Sequence, residues 1–264
     1  MEPFAIVLFK PKASGNVGAV ARALKNMGLS DLRIVAPVDF NRGVAVAMAV
    51  HGADVLDSAR IYPDLSAALE GCTLTVGTTC RPGPYRSSAH ELREIAGDLA
   101  IASRANKVAI IFGPEDFGLT NEELKLCQRL VTIPTAPEYS SLNLAQAVMI
   151  VAYELMMASR MSQDGARTGP QANSEEAGGA IPRAPAGEVA AMMERLAAAL
   201  VAIGFIPADN PDHIMFTIRN ILGRSGLSER ELDIMNGIAH QIGWLAEGGH
   251  ETIEAKLRAG RKIR

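Results

Sequence analysis

A chain of 264 residues, 48% of them hydrophobic, can bury a real core as one large domain or two smaller ones. Its formal net charge of −3 does not mark a nucleic-acid binder, because non-specific phosphate binding usually rides on a basic surface. Three cysteines without a CxxC and five scattered histidines without an HExxH argue against a disulfide framework and a zinc site, so no metal is expected.

The first residues, MEPFAIVLFKPK, carry neither a basic leader nor a small-residue cleavage site, so they do not read as a signal peptide. Within them, FAIVLF (4–9) predicts a buried strand. Residues 16–27 have helical spacing, with Gly28 where a C-terminal cap belongs. LRIVAP (32–37) predicts a second strand, and Leu74–Thr79 and Val108–Phe112 two more. Thr120-Asn121-Glu122-Glu123 is a capping box that opens a helix. Val131–Ile133 predicts a last short strand. A helix follows over about 143–160, its apolar stripe carried by Leu144, Ala147, Val148, Val151, Ala152 and Leu155. Strands alternating with helices predict an α/β domain over 1–160, with a parallel sheet covered on both faces.

The texture then changes. Residues 161–187 are rich in Gly, Pro, Ser and Ala and read as a flexible linker. Residues 188–264 read as all-helical, with segments at Val189–Ile203, Pro211–Leu222, Ser228–Leu245 and Glu251–Ala259. Ser228-Glu229-Arg230-Glu231 is another capping box. The longest apolar run, Leu196–Ala208, is broken by Gly204 and Pro207 and is too short to span a bilayer. A cytoplasmic location is the default expectation. Residues 1–160 hold 15 basic and 16 acidic side chains, and residues 161–264 hold 11 and 13, so neither part is a basic domain. The basic residues of the second part do cluster, at Arg219, Arg224 and Arg230 and in the tail KLRAGRKIR.

Three loops could build a site. In SGNVGAVARALKNMG (14–28) a glycine-rich turn enters a helix, where backbone N–H groups can face an anion. Asn16 could cap that helix, and Arg22 is a lone charge among apolar neighbours, readable as a snorkelling side chain. In VAIIFGPEDFGLTNEEL (108–124) Glu115 and Asp116 follow a buried strand. They could mark a ligand edge or only favour the next helix N-terminus. In EYSSLNLAQAV (138–148) Asn143 and Gln146 fit a capping box, which leaves Ser140 and Ser141 unexplained. A GxGxxG turn is absent, which argues against a dinucleotide-binding dehydrogenase.

Together, NVGAVARALKNMG, FGPEDFGL and IPTAPEYSSLNLAQAV resemble the three ordered motifs of the SpoU, or TrmH-like, branch of the SPOUT RNA methyltransferases. The EYSSLN form, TNEEL and RNILGRSGLSERELDIMNGI in the helical part are similar to the TrmJ subgroup, so the resemblance covers nearly the whole chain except the linker. It implies a parallel-sheet α/β knot, a deep trefoil, with a C-terminal helical extension. It implies S-adenosyl-L-methionine as cofactor, a homodimer with the site near the interface, and tRNA as partner. The implied reaction is methylation of the ribose 2′-hydroxyl of nucleotide 32 in the anticodon loop. Motif matching places the cofactor at Thr78, Thr79, Cys80, Gly113, Ile133, Ser140, Ser141 and Leu142. It places Asn16, Arg22, Glu115, Ser141 and Asn143 around the reacting centre. Pro114 stands where TrmJ-like sequences often carry arginine, which leaves the pocket intact and puts in question only an RNA contact there. Arg22 and the cluster Arg219, Arg224 and Arg230, with the tail, are expected to meet the tRNA. The rivals are a SpoU-type enzyme for another tRNA position or ribosomal RNA, and a non-catalytic RNA-binding protein with a cofactor pocket.

Overall fold

The computed structural model describes residues 3–80, 83, 86, 89–136, 138–168 and 181–249, with the backbone alone for 162–168. The expected helix 251–259 and the basic tail lie outside the described residues, as do residues 169–180 of the expected linker.

Seven strands form one sheet, all neighbours parallel, in the order β3-β2-β1-β6-β4-β7-β5. They are β1 (Phe4–Phe9), β2 (Asp31–Val35), β3 (Arg60–Tyr62), β4 (Leu74–Thr78), β5 (His90–Glu91), β6 (Val108–Phe112) and β7 (Arg129–Thr132). Every residue of β1 and β6 is buried, as expected of central parallel strands covered on both faces. The chain builds outward through β2 and β3, then returns to the other side of β1. That reversal of winding creates a crevice at the carboxyl ends of the strands.

The period of two splits the core. Phe4, Ile6 and Leu8 of β1 join Val20 and Leu24 of α1 (Ser14–Asn26) and Val148, Val151 and Leu155 of α7 (Leu144–Thr168). Leu92, Ile95 and Leu99 of α5 (Leu92–Ala102) close the same layer. The stretch Leu144–Met161 is apolar enough by composition to cross a membrane, but its stripe is spent on this core. Val7 and Phe9 face the other way, with Leu65 and Ala68 of α4 (Leu65–Ala68) and Leu124 of α6 (Asn121–Leu124). Two short helices, α2 (Arg42–Ala49) and α3 (Ala53–Ser58), flank α1 around a 3-10 turn at Val50–Gly52.

Several boundaries differ from expectation. Helix α7 runs on to Thr168, into the expected linker, and β7 begins at Arg129 rather than Val131. Three helices follow: α8 (Ala186–Ala202), α9 (Asp212–Ser225) and α10 (Glu229–Trp244), which ends in a π-helical turn at Leu245–Gly249. They share their own core, including Val189, Met192, Leu196, Met215 and Leu232. They also dock on the sheet: Phe216 of α9 is 4% exposed within the second layer of the sheet domain. A Cβ on Gly223 would fall 1.9 Å from the Gln128 carbonyl, so only glycine lets α9 approach the start of β7. Buried Asn106 pins the entering segment, accepting from the Arg183 N–H at 2.9 Å and donating to the Ile181 carbonyl at 3.0 Å.

Candidate functional site

A cavity of about 270 Å³ opens at the carboxyl ends of β4, β6 and β7. All eight residues expected to hold the cofactor line it: Thr78, Thr79 and Cys80 after β4, Gly113 after β6, Ile133 after β7, and Ser140, Ser141 and Leu142 before α7. Phe112, Val131 and Leu144 add apolar wall. A Cβ on Gly113 would lie 2.3 Å from the Gly118 backbone, so glycine is required where the loop folds back on itself. Thr78 commits its hydroxyl to the Ile111 carbonyl at 2.9 Å, and the Thr79 N–H donates to Val131 at 2.9 Å. The hydroxyls of Ser140 and Ser141 bond to none of the described residues and remain available to a ligand. One lining residue lies outside every motif of the sequence reading: Arg86, whose Nη2 donates to the Leu119 carbonyl at 3.0 Å. Arg86 lies outside any periodic segment or motif, so no signal marked it.

A polar chain borders the cavity. Asn143 donates through Nδ2 to Asn16 Oδ1 at 3.0 Å, and Asn16 donates through Nδ2 to Glu115 Oε1 at 2.9 Å. The backbone N–H groups of Lys12 and Ala13 donate to the same carboxylate at 3.1 and 3.3 Å. Asn16 is therefore not the cap expected of it. It lies inside α1, whose N-cap is Ala13, and Glu115 meets the helix entry from another loop. The acid thus serves the N-terminus of α1 rather than that of the helix that follows it. Burial works to raise the Glu115 pKa, but the bonds from Asn16 and the two backbone amides outweigh it and hold the carboxylate below its usual range. Asp116 pairs with Lys12 beside it. Asn143 also caps α7: its Oδ1 accepts from the Ala145 N–H at 2.9 Å, and Gln146 accepts from the Asn143 N–H at 3.4 Å.

Arg22 is not in the cavity of its own chain. It follows Asn16 by six residues, about 9 Å along the helix and about 240° around it; its backbone packs against Gly52 and its side chain is exposed. Among the described residues it has no hydrogen bond or ion pair, so the structure assigns it no local task. Arg219, expected to meet the RNA, is half-buried, its guanidinium 5.6 Å from the Phe216 ring and near Cys127, where burial lowers its pKa. It belongs to the packing of α9 on the sheet domain. Arg224 and Arg230 are exposed, as expected of residues that could meet a polyanion. Cys127 is a core thiol, pushed by burial up to about 12.

The cavity suits a flat heteroaromatic ring with a polar tail. It joins an apolar slot to free hydroxyls, loop backbone and one guanidinium, and an ionised carboxylate sits at its edge. Such a site can hold and orient two reactants. Both carboxylates that line it, Glu115 and Asp116, are held below the usual carboxylate range by their hydrogen bonds.

Comparison with known proteins agrees in both parts of the chain. Residues 3–153 match the SpoU rRNA Methylase family, and residues 187–251 match the C-terminal domain of the tRNA methyltransferase TrmJ. The chain is 39% identical over 244 residues to the tRNA (cytidine/uridine/adenosine-2′-O-)-methyltransferase TrmJ of Pseudomonas aeruginosa, covering 92% of this chain and 95% of that one. It is 39% identical to the tRNA (cytidine/uridine-2′-O-)-methyltransferase TrmJ of Escherichia coli K12, covering 90% and 94%. Among solved structures, TrmJ from Z. mobilis ZM4 superposes with a TM-score of 0.70 at 31% identity, covering 90% of this chain and 98% of that one.

Proposed function

Because the chain belongs to the SpoU rRNA Methylase family, and within it to the TrmJ branch, we propose that it is an S-adenosylmethionine-dependent tRNA 2′-O-methyltransferase acting on nucleotide 32 of the anticodon loop. One observation carries the reading most. Three separated loops converge on one cavity, and every residue expected to hold the cofactor lines it. Such an enzyme would work where tRNA is held, in the cytoplasm.

When bound, the cofactor supplies a methyl group already activated on a sulfonium sulfur. The residues of the chain then need to align the ribose oxygen and steady the charge that develops on it. Ile133, Leu142 and the backbone after β4 and β6 would hold the adenosine part, and Ser140 and Ser141 would take polar atoms at the mouth. Glu115 is a weak base because its bonds favour the carboxylate form. Its role is to hold Asn16, which in turn holds Asn143 at the edge of the cavity. Arg22 resists deprotonation as any guanidinium does, so its part is to stabilise the developing alkoxide and an adjacent phosphate. Since Arg22 is exposed and does not line the cavity of its own chain, it serves the cavity of a second copy in a homodimer.

Subunit mixing tests that arrangement. Arg22→Ala and Asn143→Asp homodimers should each be nearly inactive, and mixed dimers should regain activity through one intact composite site. Failure to regain it, with mixed dimers demonstrated, would place Arg22 in its own subunit. The position is tested by methyl transfer to total tRNA and ribosomal RNA, with mass mapping of the product. Methyl on nucleotide 32 supports the proposal. Methyl on another tRNA position, or on ribosomal RNA, selects the broader SpoU-type reading, and no methyl on any RNA leaves a binding protein.

A further inference from the structure

A second cavity, of about 320 Å³, opens at the opposite edge of the sheet, where the helical extension meets the starts of β4 and β7. It is separated from the first by the length of a strand, about 15 Å. Two arginines line it. Arg129 is held by the extension: its Nε and Nη2 donate to the carbonyls of Gly223 and Arg224 at 3.3 and 2.7 Å. Arg183 packs its guanidinium over the backbone of Gly226, where a Cβ would lie 2.5 Å from Cζ. Among the described residues Arg183 Nη1 is buried and bonds to nothing.

Two guanidinium groups line the cavity beside the carboxylates of Asp98 and Glu231, and one of the two keeps an orphaned buried N–H group. Burying an unpaired charge is costly, and proteins normally compensate it. The nearby acids do not reach Arg183 Nη1. Glu231 accepts through Oε2 from the Ser228 N–H and hydroxyl at 2.8 and 2.7 Å. Asp98 is mostly exposed and lies 3.6 Å from Arg129. Burial and the neighbouring Arg129 both disfavour the charged form of Arg183, and an anion in the cavity would relieve both.

We propose that the cavity between Arg129 and Arg183 is an oxyanion site that takes a phosphate group and clamps the helical extension to the sheet. A phosphate offers acceptors to planar guanidinium forks, which match it in geometry as well as charge. Its source is either a phosphodiester of bound RNA or free phosphate.

The test is thermal unfolding of the full chain in inorganic phosphate against chloride at equal ionic strength. Phosphate should raise the Tm of the wild type saturably. Arg183→Met should unfold in chloride at or above the wild-type temperature, because an unpaired charge is gone, and should not respond to phosphate. Asp98→Asn should reach half of the shift at a several-fold lower phosphate concentration. No shift in the wild type, or an equal shift in Arg183→Met, overturns the proposal. The source follows from tRNA titration. If Arg183→Met weakens tRNA binding and phosphate competes with tRNA, the group is an RNA phosphodiester, and unchanged tRNA affinity assigns the site to free phosphate.

Discussion

At the residue scale, one side chain can serve structure and chemistry together, and substitutions can separate the two. Asn143 caps α7 through its Oδ1 and holds Asn16 through its Nδ2. Asn143→Asp keeps the capping oxygen and loses the donor, next to an ionised Glu115. Stability should change by less than about 1 kcal/mol, the usual scale of a cap, while methyl transfer falls sharply. If turnover survives in Asn143→Asp, the link to Asn16 has no part in the reaction. For Glu115→Gln the loss should be about 1 kcal/mol, since the group is only partly buried. Its pH dependence has a definite sign. Glu115 is held below its usual pKa, so it contributes stability above the unfolded-state value of about 4.3 and loses it as pH falls through the lower folded value. Denaturant melts of wild type and Glu115→Gln should therefore differ at neutral pH and converge in acid. Arg22→Lys keeps the charge and loses the planar fork, so turnover should drop well below wild type with S-adenosylmethionine affinity unchanged. Near-full turnover in that variant would remove the geometric role.

At the element scale, the strands and long helices were legible because their signals are local. FAIVLF reads as a doubly covered strand from its unbroken apolar run, and the capping boxes at Thr120 and Ser228 form as written. Other elements gave little to read. Strand β3 has three residues and β5 two, and α2 exposes Val44, Val46 and Met48, so its apolar residues do not mark one buried face. Asn16 was misread because its partner, Glu115, lies 99 positions away, and a cap is a local inference. The docking of α9 was equally invisible. Nothing local marks Gly223, yet a Cβ there would meet the Gln128 carbonyl. Gly223→Ala should cost about 1–3 kcal/mol, the range for overpacking. It should also raise proteolytic sensitivity between α7 and α8 while sparing cofactor binding. An unchanged Tm and digestion pattern would mean that α9 does not need this contact.

At the scale of the whole molecule, the sheet domain and the extension are not independent. Phe216 fills the lower layer of the sheet domain, and Lys125 reaches Asp212 at 2.9 Å. Removing the extension would uncover that layer, so truncation is a poor probe of RNA binding. Charge reversal is cleaner. Arg224→Glu with Arg230→Glu should lower tRNA affinity and reduce its salt dependence by about one to two in slope, with cofactor affinity unchanged. Equal tRNA affinity at every salt concentration would move the RNA surface elsewhere. The acidic total charge is no obstacle, because phosphate binding depends on where cations stand, and Arg219 shows that a basic residue in the right segment can still be spent on packing.

The sequence by itself determined the class of the fold through its apolar periodicity, and the resemblance of its ordered motifs picked out residues that line one cavity, because both signals are written in consecutive residues. That is why Ser140 and Ser141, unexplained by helix geometry, could be assigned to a pocket before any coordinates. The tertiary structure alone decided which distant groups meet. It joined Glu115 to Asn16 and Asn143, left Arg22 outside the lining of the cavity of its own chain, stacked Arg219 on Phe216, and set Arg183 beside Arg129. The physical reason is the same in each case. Hydrogen bonds and charges act over a few ångströms of space, and separation along the chain does not predict that distance.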